Sequence, residues 1–298
     1  MCSVATALID SDKKMHELGN KIALVTGASR GIGLAIASRF AAEGASVVMC
    51  ASRLGAHENR PGTLEDAVAT INQAGGNAAA IVADLSDPGA RRGLVARAAE
   101  SFGPLDILVN NAAGSKMKLP SEVTAEERNW MFDLNVNAPI DLAQQAIPAM
   151  RERGGGWILN ISSVTVKQPI VPYPDSQVAA HIIGAYGATK AALDRYSQAL
   201  AHEVASDGIC INTLAPEAIV LTTGADYVRD IAERRPDMVE PVEMMAEAAL
   251  LLCSKSMVGQ VTYSRQLLHA AGRPLKALDG KTIIGDAFTP ADLEGPKS

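Results

Sequence analysis

Tyr186 and Lys190 are four residues apart, a spacing that places a phenol and an ammonium on the same face of a helix. A free tyrosine has a pKa of about 10, and a neighbouring cation favours its phenolate form. The pair therefore predicts a tyrosine that exchanges a proton near neutral pH. Because a Tyr-x-x-x-Lys pair is common by chance and mostly structural, its meaning depends on the elements that position it.

A candidate phosphate site lies near the start of the chain. Residues 21–26 form a short apolar run, typical of a strand buried on both faces of a parallel sheet. Residues 27–33 follow as Gly-Ala-Ser-Arg-Gly-Ile-Gly, and Ile32, Ile36 and Phe40 then recur four apart, as on one helix face. Strand, glycine-rich turn and helix N-terminus together offer backbone N–H groups and a favourable dipole to a phosphate. The spacing differs from the familiar G-x-G-x-x-G, and a glycine cluster alone fits an ordinary turn equally well.

The end of the second predicted strand indicates which dinucleotide would bind. In a doubly wound sheet, an acidic residue about 20 positions after the glycines usually binds the adenosine ribose hydroxyls. Ser52 and Arg53 stand there instead, and Arg30 adds a second cation within the glycine turn. A guanidinium suits a 2′-phosphate, which a carboxylate would repel. We therefore expect NADP(H), with NAD(H) less favoured; the alternative is that Arg53 is a solvated loop residue.

Short apolar runs alternate with helical patterns along most of the chain. This alternation predicts an α/β fold, a doubly wound parallel sheet in a single domain. The predicted strands are 21–26, 46–50, 78–82, 106–110, 156–161, 209–214 and 261–263. The predicted helices are 31–43, 63–74, 88–101, 124–152, 186–206 and 241–253. We expect an N-terminal arm at 1–19, the domain at 20–264, and a C-terminal extension at 265–298 that forms a loosely packed tail.

Two further strand ends carry polar or small residues. Asp84 follows the third strand, where it would accept a hydrogen bond from the adenine amino group or cap the helix near Pro88, although Asp87 is better placed as the cap. Asn111 and Ala112 follow the fourth strand, where small side chains let a cofactor lie against the backbone.

Bulk composition excludes several classes of function. The chain has 298 residues, 48% of them hydrophobic and 20% charged, as expected of a folded protein with a large core. Its net charge of -6 argues against a general nucleic-acid surface. No segment has the run of about 18 apolar residues that a membrane helix needs. The four cysteines are scattered along the chain, which indicates reduced thiols. No two cysteines or histidines have the spacing of a metal-binding pair. We expect a cytoplasmic protein without a metal.

These features occur in the order found in short-chain dehydrogenases/reductases with a TGxxxGxG turn and a YxxxK pair, and the chain resembles that family over about residues 21–263. The matching residues are Thr26, Gly27, Gly31, Gly33, Asp84, Asn110, Asn111, Ala112, Gly114, Asn135, Ser163, Tyr186 and Lys190. The resemblance implies a Rossmann fold and an NAD(P)-dependent interconversion of alcohol and carbonyl. We therefore expect the cofactor to contact Gly27, Ser29, Arg30, Gly31, Ile32, Gly33, Ser52, Arg53, Asp84, Leu85, Asn111, Ala112, Tyr186, Lys190, Pro216 and Ile219.

The resemblance also implies catalytic roles. Tyr186 would exchange a proton with the substrate oxygen, while Lys190 lowers the tyrosine pKa and holds the nicotinamide ribose. Ser163 would donate a hydrogen bond to the substrate oxygen, with Ser162 and Ser176 as competitors. Asn135 would anchor a water that links Lys190 to solvent. Donors placed where charge develops stabilise that charge.

The sequence departs from the family pattern in three places. Ser163 stands further from Tyr186 than usual, and residues 167–183 form either a semi-rigid loop at the pocket rim or a surface elaboration. Pro216-Glu217 replaces the usual Pro-Gly, so this turn takes another shape. Thr222 or Thr223 would reach the carboxamide, and residues 224–240 would form a substrate lid. The tail after Tyr263 is longer than usual. Separately, the resemblance and the long helices at 124–152 and 186–206 lead us to expect a homodimer or homotetramer.

The sequence thus predicts an NADP(H)-dependent oxidoreductase acting on a small-molecule carbonyl or secondary alcohol. Two alternatives stay open: an NADPH sensor without turnover, and an enzyme of the sugar-nucleotide epimerase or dehydratase type.

Overall fold

The computed structural model describes residues 16–56, 62–167, 184–222, 229–234 and 236–285. Within these residues seven strands form one sheet, in the order β3-β2-β1-β4-β5-β6-β7 with every pair parallel. The strands are β1 (Ile22–Thr26), β2 (Ser46–Ala51), β3 (Asn77–Val82), β4 (Ile107–Asn110), β5 (Gly156–Ile161), β6 (Ile209–Ala215) and β7 (Val261–Tyr263). The strand order reverses between β1 and β4, and a crevice is expected at such a point.

Helices cover both faces of this sheet. They are α1 (Gly31–Ala42), α2 (Leu64–Gln73), α3 (Pro88–Arg91), α4 (Leu94–Phe102), α5 (Ala125–Phe132), α6 (Ala138–Glu152), α7 (Gly184–Val204), α8 (Arg229–Arg234), α9 (Val242–Ser254) and α10 (Ser264–Ala270). The predicted α/β doubly wound sheet in a single domain is confirmed. None of the helices in the described ranges is long and apolar enough to cross a membrane.

The central strands contribute side chains to two separate cores, because successive side chains point to opposite faces of the sheet. Val25 packs with Phe40 and Met245 in the layer of α1 and α9. Leu24 packs with Leu142 and other residues in the layer that includes α4 and α6. The central strands are therefore apolar on both faces. This is why continuous apolar runs in the sequence predicted where they lie.

Two predicted helices are interrupted. The helix expected at 88–101 is split into α3 and α4, because Gly93 lies between them with a left-handed φ of 65°. The helix expected at 124–152 consists of α5, a π-helical turn at Asp133–Asn137, and α6. The π turn inserts an extra residue into the helical path, and such turns are frequent at functional sites.

The loosely packed tail predicted after Tyr263 is wrong for the described residues up to 285. Ser264–Ala270 forms α10, and Leu268 and Leu275 are buried in the core. Arg273 makes ion pairs with Glu17 and Glu247, both at 2.6 Å. Residues 1–15 and 286–298, which make up most of the predicted arm and the end of the tail, lie outside the described residues.

Candidate active site

The glycine-rich turn is packed so closely at Gly27 and Gly33 that neither position has room for a side chain. Gly27 and Gly31 have φ values of 63° and 58°, in the left-handed region that favours glycine. A Cβ atom on Gly27 would lie 2.8 Å from Asn111 Nδ2, and one on Gly33 would lie 2.4 Å from the Gly27 carbonyl oxygen. The turn thus brings the backbone of β1 and α1 against the end of β4. Ser29 and Ile32 lie on the same turn.

Thr26 and Asn111 connect the ends of β1 and β4. Thr26 Oγ1 accepts hydrogen bonds from the backbone N–H groups of Asn111 (2.9 Å) and Ala112 (3.1 Å). Asn111 Nδ2 donates in return to the carbonyl oxygens of Thr26 (2.9 Å) and Gly27 (3.1 Å). These bonds fix the floor of the crevice at the point where the strand order reverses.

The residues predicted to select the cofactor, one serine and two arginines, lie near the same edge. Ser52 and Arg53 follow β2 directly and are exposed. Arg30 occupies the N-cap position of α1 and is half-buried. Gly62 lies close to this turn, since a Cβ on it would lie 3.4 Å from the Ser29 carbonyl oxygen.

Asp84 and Leu85 occupy the loop after β3, and Asp87 caps the following helix. Asp87 Oδ1 accepts a hydrogen bond from Gly89 N (2.8 Å) at the start of α3. Asp84 Oδ1 accepts from the backbone N–H (3.0 Å) and the hydroxyl (2.7 Å) of Ser86, and Asp84 is exposed. The cap is therefore Asp87, as the sequence favoured. Leu85 is buried, and its carbonyl oxygen accepts from Arg91.

Tyr186 and Lys190 share one face of α7. Lys190 Nζ lies 5.8 Å from the centroid of the Tyr186 ring and donates a hydrogen bond to the Ile161 carbonyl oxygen at 2.7 Å. Burial lowers the pKa of Lys190 to about 8, and the carboxyl of Asp194 opposes that shift. The ammonium is thus anchored to the end of β5, within reach of the tyrosine ring.

Asn135 lies in the π turn, and both polar atoms of its side chain form hydrogen bonds, which join the loop after β4 to α7. Its Oδ1 accepts from Gly114 N (2.9 Å), and its Nδ2 donates to the Gly114 carbonyl (2.8 Å) and to Thr189 Oγ1 (3.0 Å). Thr189 Oγ1 in turn donates to the Tyr186 carbonyl oxygen at 2.7 Å. The side chain of Asn135 therefore orients the helix that carries Tyr186, and its role in anchoring a water stays a prediction.

Ser163 follows β5 and is brought next to α7. Its Oγ accepts hydrogen bonds from Thr165 N (3.2 Å) and Thr165 Oγ1 (3.0 Å), so its own proton can be donated elsewhere. Gly187 permits the close approach of α7, because a Cβ there would lie 2.6 Å from the Thr165 carbonyl oxygen. Of the two competitors, Ser162 has a fully buried hydroxyl, and Ser176 lies outside the described residues.

The turn after β6 departs from a glycine-type turn, as the sequence predicted. Among the described residues, Asn20 is the only non-glycine residue with a positive φ, so Glu217 does not adopt a glycine-like conformation. Pro216 and Ile219 are half-buried. The segment then reaches the glycine turn, because a Cβ on Gly31 would lie 3.3 Å from Thr222 Cβ. Thr223, residues 224–228 of the predicted lid and residues 168–183 lie outside the described residues.

The chain was compared with known protein families, and it matches the model of the short chain dehydrogenases over residues 21–231, more than half of its length. The chain belongs to the short-chain dehydrogenase family. Members of this family are oxidoreductases that act on small molecules, and the predicted resemblance is confirmed.

Individual relatives agree with this family. The chain is 40% identical over 208 residues to an uncharacterized oxidoreductase of Methylorubrum extorquens, covering 69% of this chain and 76% of that protein. It is 31% identical over 276 residues to hydroxysteroid dehydrogenase-like protein 2 of Xenopus laevis, covering 89% of this chain but only 62% of that longer protein. L-Sorbose reductase of Gluconobacter frateurii, solved with NADPH and L-sorbose, is similar with a TM-score of 0.70 and 31% identity. That match covers 84% of this chain and 97% of the reductase.

Two polar residues of this short-chain dehydrogenase near the site were not predicted from the sequence. Asp194 follows Lys190 by one helical turn and is buried; burial raises its pKa, while the hydroxyls of Ser162 and Thr213 and the Lys190 cation oppose the rise. The four-residue spacing after Lys190 was the available signal. Glu240 is buried against the turn after β6, and nothing in its local sequence indicates this contact because its partners are distant in the chain.

Proposed function

We propose that this protein is an NADP(H)-dependent oxidoreductase that interconverts a carbonyl and a secondary alcohol. The observation that carries the proposal is the placement of the Lys190 ammonium, which is bound to the end of β5 and lies 5.8 Å from the Tyr186 ring centroid. A cation so close to a tyrosine favours phenolate over phenol. Ser163 lies beside the same helix and still has a proton to donate.

The residues at the crevice fit a dinucleotide. The space where a Cβ of Gly27, Gly31 or Gly33 would lie is filled or narrowed by backbone, Asn111 or Thr222, so the turn offers its main chain rather than side chains to a ligand. The backbone of residues 27–33 and the start of α1 would hold the pyrophosphate. Asn111 and Ala112 would lie under the cofactor, Asp84 and Leu85 near its adenine, and Pro216 and Ile219 near its nicotinamide.

The cofactor supplies or accepts the hydride when bound. In the direction of reduction, Tyr186 gives its hydroxyl proton to the substrate oxygen as that oxygen gains negative charge. Ser163 donates a hydrogen bond to the same oxygen, and the Lys190 ammonium stabilises the tyrosinate that is left. Asn135 keeps the tyrosine in position through Gly114 and Thr189.

Preference for NADP(H) over NAD(H) is supported by Ser52, Arg53 and Arg30. Arg53 and Ser52 are exposed immediately after β2, where a carboxylate would otherwise bind ribose hydroxyls. The L-sorbose reductase of similar fold contains NADPH. A cytoplasmic location and a homodimer or homotetramer stay predictions, which cell fractionation and light scattering test.

The decisive experiment measures NADPH oxidation with a panel of ketones, together with NADPH binding followed by its fluorescence. Tyr186→Phe should lower turnover by about 10²–10⁴-fold with little change in binding. Tyr196→Phe, on the same helix and partly buried against the core, is the matched control and should retain activity. Tight binding without turnover on any carbonyl favours the sensor, and conversion of a sugar nucleotide without net NADPH consumption favours the epimerase type.

A further inference from the structure

The turn after β6 is held by a buried carboxylate. Glu240 Oε2 accepts hydrogen bonds from the backbone N–H groups of Glu217 (3.1 Å) and Ala218 (3.2 Å). Glu240 Oε1 accepts a short hydrogen bond from Ser264 Oγ (2.6 Å), at the start of α10. The side chain of Glu240 is almost entirely shielded from solvent, since the residue is 1% exposed. One carboxylate therefore joins the turn, the segment before α9 and the start of α10.

We call the hydrogen bonds of Glu240 to Glu217, Ala218 and Ser264 the clamp. Backbone hydrogen bonds of the neighbouring residues extend it along the chain. Ile219 N donates to the Met238 carbonyl at 2.7 Å, and Glu240 N donates to the Ile219 carbonyl at 2.9 Å. Ile219 and Val239 form a parallel bridge. The segment that runs from the turn to Thr222, beside Gly31, is thus attached to the segment that ends in Glu240.

The clamped turn lies next to the residues assigned to catalysis. Ile161 pairs with Leu214 in the sheet, and Ser162 N donates to the Leu214 carbonyl at 2.8 Å. Ser163 and Pro216 therefore follow their strands at neighbouring positions on the same edge. The Ile161 carbonyl is also the acceptor for Lys190.

In the conformation that this turn adopts without a glycine, the backbone N–H groups of Glu217 and Ala218 both donate to Glu240. Two successive backbone N–H groups point to the interior and need an acceptor. An ionised carboxylate accepts several such bonds and makes them stronger than a neutral acceptor does.

We propose that Glu240 is a positioning residue that shapes the turn at residues 216–218 and thereby sets how the nicotinamide end of the cofactor is held. The inference rests on the proposed function. It adds to that function a residue at the end of the predicted lid segment, which acts only through the backbone of the turn.

The same contacts make the clamp sensitive to pH. Burial raises the pKa of Glu240 to about 7, while Ser264, Arg265 and the two N–H groups of the turn oppose the rise. Glu217 is the other charged neighbour on the turn, and its Oε1 accepts from Gln266 (2.7 Å). The ionised form is the better acceptor, so the clamp is tighter above pH 7 than below it.

The experiment titrates NADPH into the parent, Glu240→Ala and Glu240→Gln, following cofactor fluorescence without a carbonyl substrate. Glu240→Ala should raise the Kd for NADPH by about tenfold, a free-energy change of the size of one strong hydrogen bond. Glu240→Gln keeps an acceptor for the turn and a donor toward Ser264, so its Kd should stay within about threefold of the parent value. The ratio of the two Kd values, Gln variant to parent, should increase from about pH 6 to about pH 8.5. Amide exchange at residues 217–218 should become faster in Glu240→Ala.

Glu247→Gln is the matched control. Glu247 is also a buried glutamate, but it binds Arg39 and Arg273 and has no part in the crevice described above. It should lower thermal stability and leave the Kd of the folded protein unchanged. The inference is overturned if Glu240→Ala binds NADPH like the parent, or if Glu247→Gln weakens binding equally. Failure of the parent to bind either NADPH or NADH would instead overturn the proposed function, and the inference with it.

Discussion

Glu247 and Glu240 are both buried completely or almost so, but they lie in regions of opposite character. Glu247 receives two guanidinium groups, from Arg39 at 2.9 Å and from Arg273 at 2.6 Å, and Arg39 also pairs with Glu43 at 2.6 Å. Glu240 receives backbone N–H groups and a hydroxyl. In the first region cations bind the carboxylate directly, whereas the hydrogen-bond donors to Glu240 are neutral and the Arg265 cation acts only as a nearby charge. The difference shows how one fold combines a permanently ion-paired support with a titratable contact near its crevice.

The largest effect is expected from breaking the ion-paired region. Glu247→Ala leaves the buried guanidinium of Arg39 and the partly buried one of Arg273 without their shared carboxylate, so the free energy of unfolding should fall by about 3–5 kcal/mol. Urea denaturation followed by circular dichroism measures this loss. Asp207→Ala, which removes the partly buried partner of the exposed Arg151, is the control and should cost less than about 1 kcal/mol. Equal losses in the two variants would contradict the comparison.

The next effect is the pH dependence of stability that Glu240 confers. Its pKa is about 7 in the folded protein against an ordinary value of 4.5, so the folded state holds a proton that the unfolded chain has released. The stability from that proton is fully present below about pH 4.5 and is lost as the pH rises through about 7. Relative to Glu240→Gln, the parent should lose on the order of 3 kcal/mol over this range. Parallel pH curves of unfolding free energy for the two proteins would show that Glu240 does not titrate there.

Arg53→Ala extends the comparison to an exposed charge, which acts only through a ligand. It should weaken NADPH binding by about 1.5–3 kcal/mol, the contribution of a hydrogen bond to a charged group, and leave NADH binding unchanged. Calorimetric titration with both cofactors measures the difference. Arg92→Ala removes another exposed arginine as the control. Equal affinity of Arg53→Ala and the parent for NADPH refutes the assignment of Arg53.

The smallest effect concerns Asp194. Its surroundings are intermediate between those of Glu247 and Glu240, because it faces one cation and two hydroxyls. Burial lowers the pKa of Lys190 to about 8, and Asp194 opposes that shift. Asp194→Asn should therefore lower the pKa of Lys190 further, so that activity declines at a lower pH than in the parent. The alkaline limb of the pH profile of kcat/KM measures this displacement. An unchanged limb would mean that the Asp194 carboxyl carries no charge in the active protein.

The sheet could be predicted from sequence because strands buried on both faces are continuous apolar runs. The run predicted at 46–50 corresponds to Ser46–Ala51, and the run at 156–161 to Gly156–Ile161. Gly93 was missed as a break because apolar residues continue through Leu94, Val95 and Ala98 with helical spacing. The π turn was missed for the same reason, since it leaves both flanking helices in the expected pattern.

The order of the motifs in the sequence was enough to predict that Tyr186, Lys190 and Ser163 lie close together. Their positions depend on short segments that are attached to the ends of adjacent strands. The contacts of Glu240 and of Arg273 could not be predicted from the sequence. Their partners are distant in the chain, and nothing in the local sequence distinguishes these residues from surface charges. Periodicity reports which face of an element is buried, but it does not report which distant charge meets it there.

Lys190 has one consequence for engineering. Its ammonium is bound to a main-chain oxygen of the sheet, so no side-chain exchange at Ile161 can remove that acceptor. Apolar substitutions at Ile161 that keep the strand paired with its neighbours should therefore leave the lysine in place.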